Sequence, residues 1–450
     1  MRWLRRCRVL LLAVAVTVLA GTSASASELF PRPKSLEPAV AFWRSIFGTF
    51  SEEQDVFHDD VYLDKIYGVV DYRDRVGPDG ELSTAAAIER DREVRSEKVR
   101  IQGMLLRIDR LGPKSSSLTA EERRIAAMFS NVPGRDRYKL AAERVRSQVG
   151  LRKRFAAGLS RRAGYLPEMK EIFRRRGLPT ELTVMPLFES CFDLDAYSKV
   201  GAAGVWQFMP ATGRHYMRVD SAIDERRDPI RSTEAAAEHL RRDYESLESW
   251  PLAITAYNHG RGGMHRAAKQ FGTKDMGVIV QGYKGKTFGF ASRNFYAEFL
   301  AALDVVARAD EIYGKIPVHA APKGREIKLR QPMRLREASR VTGVPREHLI
   351  AMNPAFLSMV IRGSGSIPAG YRLRVPAGAR DVQVAMAQPG ASSRAATRQD
   401  PDFKFHTVRR GQTLAGIAKR YNTSVRALQG LNGVRSPKAL RVGQKLKVPG

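Results

Sequence analysis

The apolar run at residues 9–20 is the only long one in the chain, and its position sets what everything after it can fold into. It follows Arg2, Arg5, Arg6 and Arg8 and precedes Ala24-Ser25-Ala26, a small-x-small pattern. Basic, apolar and small segments in that order form a secretory signal. The core is also short for a bilayer, which needs about 20 apolar residues. The expectation is export, with cleavage near Ala26 and residues 1–26 removed; a retained membrane anchor is the alternative reading. No Cys stands beside the cleavage site to accept a lipid. The remainder must then fold in water. With 450 residues, 43% apolar and 27% charged, the chain suits two to four globular units.

Cys7 leaves with the signal, so Cys191 alone remains and no intramolecular disulfide can form. Losing the four signal arginines takes the net charge from +29 to +25. A surface this basic is drawn to nucleic acid, acidic lipid or an anionic envelope polymer. Export argues against nucleic acid. Peripheral association with the envelope or membrane stays open.

Along the chain, residues 27–164 are expected to be a helical region. Phe42, Trp43, Ile46, Phe47 and Phe50 fall at helical spacing, and Thr119 with Glu122 forms a capping box ahead of Ile125, Met128 and Phe129. Residues 165–315 are also mainly helical, interrupted by Gly, Pro and Asn. Residues 316–378 mix short β-prone runs with helix. Residues 379–401 are rich in Ala, Ser, Gln and Arg and form an expected flexible linker, before a compact unit at 402–450. An internal repeat ties the last two ordered segments together: residues 335–353 and 414–432 match at Leu335/Leu414, Leu349/Leu428, Met352/Leu431 and Asn353/Asn432. Each copy reads as strand, helix, helix, strand, a pattern of a module used more than once.

The chemistry concentrates in the middle. Glu189, in Pro186-Leu187-Phe188-Glu189-Ser190, has apolar neighbours that would desolvate its carboxyl and raise its pKa, as a general acid near neutral pH requires. Downstream, Gly201-Ala202-Ala203-Gly204-Val205-Trp206-Gln207-Phe208-Met209-Pro210 offers close backbone approach, an amide and a stacking face. Asp224-Glu225-Arg226-Arg227-Asp228-Pro229 is expected to fix a loop and cap a helix. Ala256-Tyr257-Asn258-His259-Gly260 adds a phenol and an amide before a glycine turn.

In this order and spacing, the segments resemble the family 1 lytic transglycosylases of the lysozyme superfamily, nearest the membrane-bound lytic murein transglycosylase D type. The resemblance implies a mainly α fold: a lysozyme-like helical catalytic domain preceded by a helical N-terminal region and followed by small α+β (βααβ) LysM modules. It makes Glu189 the sole catalytic carboxylate. It places Ser190, Ser198, Gln207, Tyr257 and Asn258 along a sugar cleft, with Tyr296 the candidate for a further tyrosine. Asp193 and Asp195 are weighed as a second carboxylate, with turn or capping roles favoured. The implied reaction cleaves the bond between N-acetylmuramic acid and N-acetylglucosamine without water, leaving 1,6-anhydromuramic ends, and uses no metal or cofactor. A goose-type hydrolytic muramidase shares fold and acid, and a non-catalytic wall-binding scaffold is the third reading. The implied partner is the peptidoglycan glycan strand.

His406-Thr407-Val408 through Gly443-Gln444-Lys445-Leu446-Lys447-Val448-Pro449 resembles a LysM domain. The resemblance puts Gly411, Gln412, Thr413, Leu414 and Asn432 at or near its sugar groove. Residues 414–432 alone could pass for a helix-turn-helix, but the flanking β segments and the signal oppose DNA binding. Residues 325–376 resemble a degenerate LysM, with Pro332 in place of the glycine, and either sugar binding or packing fits them. A 23-residue coil spans roughly 25–30 Å, which holds enzyme and glycan together at an effective concentration on the order of millimolar.

Overall fold

The computed structural model describes residues 26–77, 83–380, 404–409, 412–421, 423, 425–432, 440 and 443–448. The expected signal and most of the expected linker lie outside these residues. Two compact units divide the chain, residues 1–379 and 380–450. The structure is mainly helical, and no helix among the described residues is long and apolar enough to cross a membrane.

In the first unit, the aromatic run at 42–47 forms the helix Glu37–Gly48, with Pro at its first turn. Phe42, Trp43, Ile46 and Phe47 are buried with Phe155, Phe173, Trp206 and Phe299 in one core. Phe47 stacks on Phe155 with ring centroids 4.9 Å apart. Arg32 clamps the same segment onto the helix Phe290–Ala307 through both oxygens of Asp304, at 2.7 and 2.8 Å. The N-terminal segment is therefore part of the body that holds Glu189. The helix Arg152–Arg174 runs through position 165. The expected start of the catalytic region thus falls inside an element, with Phe155 and Phe173 of that helix in the same core.

The expectation of an all-helical N-terminal region needs correction. Residues 54–59 (β1), 66–71 (β2) and 145–149 (β3) form an antiparallel sheet in the order β2-β1-β3. The helices Thr84–Leu111, Ala120–Met128 and Arg137–Glu143 share a second core with it, around Phe57, Tyr67, Leu105, Phe129 and Val145. β1 was hard to see because it interleaves Asp55, His58 and Asp59 with its apolar residues, yet nearly all of it is buried. Both buried carboxylates have partners, as burial demands, whereas the His58 ring meets the Asp59 carbonyl through Nδ1 and has none for Nε2 among the described residues. Asp55 takes Arg90 at 2.7 Å, Asp59 accepts the amides of Val61 and Tyr62 and the Arg144 guanidinium, and His58 lies between the Phe42 and Phe290 rings. The capping box at Thr119 and Glu122 forms as its sequence predicts.

Residues 325–328 (β4) and 372–375 (β5) pair antiparallel around the helices Leu335–Thr342 and Arg346–Met352. In the second unit, 404–407 (β6) and 445–448 (β7) pair in the same way around Leu414–Arg420 and Val425–Asn432. The repeat is thus one βααβ unit built twice. Asn353 donates its amide to the Leu349 carbonyl and Asn432 to that of Leu428, both at close to 2.8–2.9 Å. The matched asparagines end the second helix of each copy.

Phe47→Ala removes a ring shared by the N-terminal segment and the Glu189 body, and a buried Phe→Ala change costs about 3–5 kcal/mol. Urea unfolding followed by Trp206 and Trp250 should move to lower denaturant. An unmoved transition would show that the N-terminal segment folds apart.

Candidate functional site

Glu189 sits on the six-residue helix Met185–Ser190, started by Pro186 and stopped by Cys191. Cys191 and Phe192 both have φ of 51°, a left-handed pair of non-glycine residues directly after the acid. Such backbone is held only where its surroundings over-determine it. Here Arg161 donates to the Phe192 and Cys191 carbonyls at 3.0 and 2.8 Å, and Gly158 lets the turn lie against its helix. A Cβ at Gly158 would fall 2.5 Å from the Cys191 oxygen.

Leu187 points into the core while Phe188 packs edge-on against Phe295, centroids 5.1 Å apart. Glu189 is half-buried between these directions. Protein packed around its carboxyl pushes the pKa up to about 8, and no cation or hydrogen-bond donor among the described residues offsets this. The carboxyl is thus protonated at neutral pH and free to give that proton away. Ser190 has a different task from the expected sugar contact. Its hydroxyl is buried against the carbonyls of Pro186 and Val205, at 3.1 and 2.9 Å, and staples the Glu189 helix to the next loop.

That loop, residues 198–208, is shaped by backbone contacts. Ser198 accepts the Ala202 amide at 2.9 Å and its own amide bonds the Ala202 carbonyl, so its hydroxyl closes the turn. Gly204 has φ of 72°, and a Cβ there would lie 1.7 Å from the Arg226 carbonyl oxygen. Gln207 has φ of 49° and donates its amide to the Gly204 carbonyl at 2.8 Å, which leaves its side-chain carbonyl available. Trp206 corrects the expectation of a stacking face for a ligand. It is fully buried, stacked on Phe173, with its indole N–H on Thr233. Its carbonyl instead accepts the Tyr257 hydroxyl at 2.8 Å.

The charged segment does what its sequence suggests. Asp228 accepts the amides of Ile230 and Arg231 and caps the helix Pro229–Leu247. Asp224 grips Arg226 with both oxygens, at 2.8 and 2.7 Å.

Tyr257 and Asn258 end the helix Trp250–His259. The Tyr257 ring stacks on Phe295, Asn258 is exposed, and its side-chain oxygen accepts the Ser292 hydroxyl at 2.7 Å. Glu189 acts electrostatically on the Tyr257 phenol, which its burial already keeps protonated. Tyr296 does not join this group: it is fully buried and donates its hydroxyl to the Pro31 carbonyl at 2.8 Å. The face of Phe290–Ala307 that meets Phe188 and Tyr257 carries Phe295, one residue earlier. Asp193 and Asp195 make local contacts, an Asx turn and an exposed ion pair with Arg227.

One residue escaped the sequence reading. Glu298 stands one helical turn after Phe295, on the face turned to Phe188, and three-residue spacing from Phe295 is the signal that could have found it. Burial first, and then the charge of Glu189, push its carboxyl up to about 8. Repulsion between neighbouring carboxylates is mutual, so ionising one opposes ionising the other.

In the second unit, Gln412 accepts from the Arg409 amide and meets the His406 ring, Thr413 accepts the Gly416 amide, and Leu414 is buried in the core. Leu414 is therefore a packing residue rather than a groove contact. Gly411 lies outside the described residues.

Replacing Glu189 with Gln removes the charge that acts on Glu298. Carbon-13 titration of the Glu298 side chain should then show a lower pKa; an unmoved titration would separate the two groups.

The family description "Transglycosylase SLT domain" matches residues 169–279, and "LysM domain" matches residues 406–449. Over 289 residues the chain is 27% identical to membrane-bound lytic murein transglycosylase D of Escherichia coli (strain K12), covering 61% of each chain. It is 35% identical over 60 residues to N-acetylmuramoyl-L-alanine amidase XlyB of Bacillus subtilis, covering 13% of this chain and 19% of that one. The 70 kDa soluble lytic transglycosylase of Escherichia coli aligns in structure over 31% of this chain and 24% of its own, with 22% identity and a TM-score of 0.26. The chain spans about three fifths of the length of the murein transglycosylase it matches. It carries a transglycosylase SLT domain and a LysM domain, and is a homologue of the membrane-bound lytic murein transglycosylase D.

Proposed function

We propose that this protein is a peptidoglycan lytic transglycosylase with Glu189 as its acid and then its base. The observation that carries the reading is a desolvated carboxyl with no cation or donor among the described residues to stabilise its charge, near enough to Tyr257 to act on its phenol and next to Ser190, which bonds the Gln207 loop at Val205. Glu189 gives its proton to the oxygen bridging N-acetylmuramic acid and N-acetylglucosamine, and that bond breaks at C1 of the muramic residue. The carboxylate then takes the proton of the C6 hydroxyl, whose oxygen closes onto C1. The proton returns to Glu189, and no water enters. Gln207 and Asn258, each with polar capacity left toward solvent, orient the sugar. The basic surface and the LysM domain favour retention on an anionic, N-acetylglucosamine-containing wall. Export to the periplasm or envelope rests on the basic, apolar and small segments at residues 2–26.

Glu298 favours one second reading, a hydrolytic muramidase with two carboxyls. Hydrolytic glycosidases pair a protonated acid with an ionised base or nucleophile. Here both carboxyls are held toward protonation, which suits transfer better.

Digesting purified peptidoglycan should release muropeptides one water lighter than hydrolytic products, by mass spectrometry; only reducing muramic ends would establish the muramidase. Glu189→Gln should lower turnover by at least about 10²–10⁴-fold, the usual worth of a general acid. In the wild type, kcat/KM should fall as pH rises through about 8, where Glu189 loses its proton. Stability carries the same sign. The folded chain holds this proton to higher pH than the unfolded one, so stability falls between the ordinary carboxyl range and about pH 8. Glu189→Gln should therefore raise the thermal midpoint relative to wild type more at pH 8 than at pH 4.

A further inference from the structure

The module at 325–376 differs from its C-terminal copy at the expected groove and is docked on a neighbouring segment through residues 355–357. By the repeat, Pro332, Met333 and Arg334 occupy the positions of Gly411, Gln412 and Thr413, and Asn353 that of Asn432. Met333 is buried, and it exchanges two backbone hydrogen bonds with Ile367, at 2.9 and 2.7 Å. This bridge ties the segment after β4 to the segment before β5. Asn353 is buried as well, with its amide and carbonyl used on Leu349 and Arg374. Two of these four positions, Met333 and Asn353, are thus engaged by the module's own backbone, while Pro332 and Arg334 are exposed.

The other face is docked on residues 218–226. Ile223 pairs with Phe356 in a β-bridge, the Asp224 amide donates to the Ala355 carbonyl at 2.8 Å, and the Leu357 amide donates to the Ala222 carbonyl at 3.0 Å. Arg218 reaches the Ala369 carbonyl at 3.2 Å. What this contact holds is Arg226, two residues past Asp224. Its guanidinium, gripped by Asp224, donates to the carbonyls of Gly201 and Phe208 at 2.7 and 2.9 Å, the two ends of the Gln207 turn. The Arg226 carbonyl also lies under Gly204.

We infer that residues 325–376 act as a positioning clamp for the Gln207 loop, through Ala355, Phe356 and Leu357 on Ile223 and Asp224, rather than as a second glycan-binding module. The role in catalysis rests on the glycan-cleaving reading above; the mechanical link does not. Loosening the clamp lets Asp224 and Arg226 shift, and the Gly201 and Phe208 carbonyls with them. Gln207 then meets the sugar in a poorer geometry, while the Glu189 helix, joined to the loop through Ser190 and Val205, is still held by Arg161 and by its packing on Gly158.

Two variants test this in the full chain. Leu357→Pro deletes one amide donor across the contact, and Phe356→Ala empties the buried ring at the bridge. Hydrogen exchange should quicken at the amides of Ala203, Gly204 and Gln207, with the helix Trp250–His259 unchanged. On glycan, kcat/KM should fall about ten- to a hundredfold, chiefly through KM, since ångström-scale misplacement has such effects. The alkaline limb set by Glu189 should not move, and Phe356→Leu should restore both readouts. Where Phe356→Ala unfolds the module outright, Leu357→Pro decides alone. Unchanged exchange at 203–207 in Leu357→Pro overturns the clamp, as does loss of glycan affinity in Arg334→Ala with exchange unchanged. A chain with no lytic activity but faster exchange in these variants would keep the clamp and remove the enzymatic reading.

Discussion

The guanidinium of Arg226 is the contact on which the sugar-facing loop depends. It is buried, and its donors go to both Asp224 oxygens and to the carbonyls of Gly201 and Phe208. A loop with left-handed residues at Gly201, Gly204 and Gln207 has few regular backbone bonds of its own. Without a cation beneath it, the Gly201 carbonyl would lose its donor and the Phe208 carbonyl would keep only the Ala203 amide. Arg suits this position better than Lys, because its planar fork serves a carboxylate and carbonyls at fixed angles. Removing either partner of such a buried pair leaves an uncompensated charge, at about 3–5 kcal/mol.

Around that loop, the fold places an acid where its charge is poorly stabilised. Glu189 sits in the last turn of a six-residue helix, precedes a strained turn, and has no cation offsetting its burial among the described residues. The chain is rich in arginine, and Arg161 lies close by, yet its donors go to backbone carbonyls after the acid. Cations that would have lowered the Glu189 pKa are engaged in holding shape. The cost of a desolvated carboxyl is borne by a large aromatic core, to which the N-terminal helix contributes Phe42, Trp43 and Phe47.

Much of this was legible in the sequence. The helix cap at Asp228 and the two βααβ copies are legible in local patterns, because each depends on short-range spacing, whereas Glu189, Gln207, Tyr257 and Asn258 stand as candidates whose roles the family resemblance implies. What failed depended on distant partners. β1 carries Asp55, His58 and Asp59, and Arg90 and Arg144 meet the two carboxylates only in the folded chain. Ser190 and Trp206 look like ligand groups by residue type, but their polar atoms meet Val205 and Thr233 in the folded chain. The expectation at Tyr296 follows from the family resemblance, whereas helix phase turns Phe295 to Phe188 and Tyr296 to Pro31. Glu298 stands one turn after Phe295, and the same phase sets its direction.

The two βααβ copies show how far one fold can be turned to different ends by a few contacts. Both keep the Leu–Leu–Asn framework that closes the small core and ends the second helix. The fold itself needs only those positions, which leaves the segments before the first helix and after the second free to diverge. In the first copy these segments bond to each other at Met333 and Ile367, and nearby Phe356 docks on a neighbour. A backbone edge engaged in a β-bridge has no donors left for a sugar, whereas it fixes its partner's register. One βααβ framework can therefore close its groove edge on itself at Met333 and Ile367 while a different face, at Ala355 to Leu357, fixes a neighbouring loop.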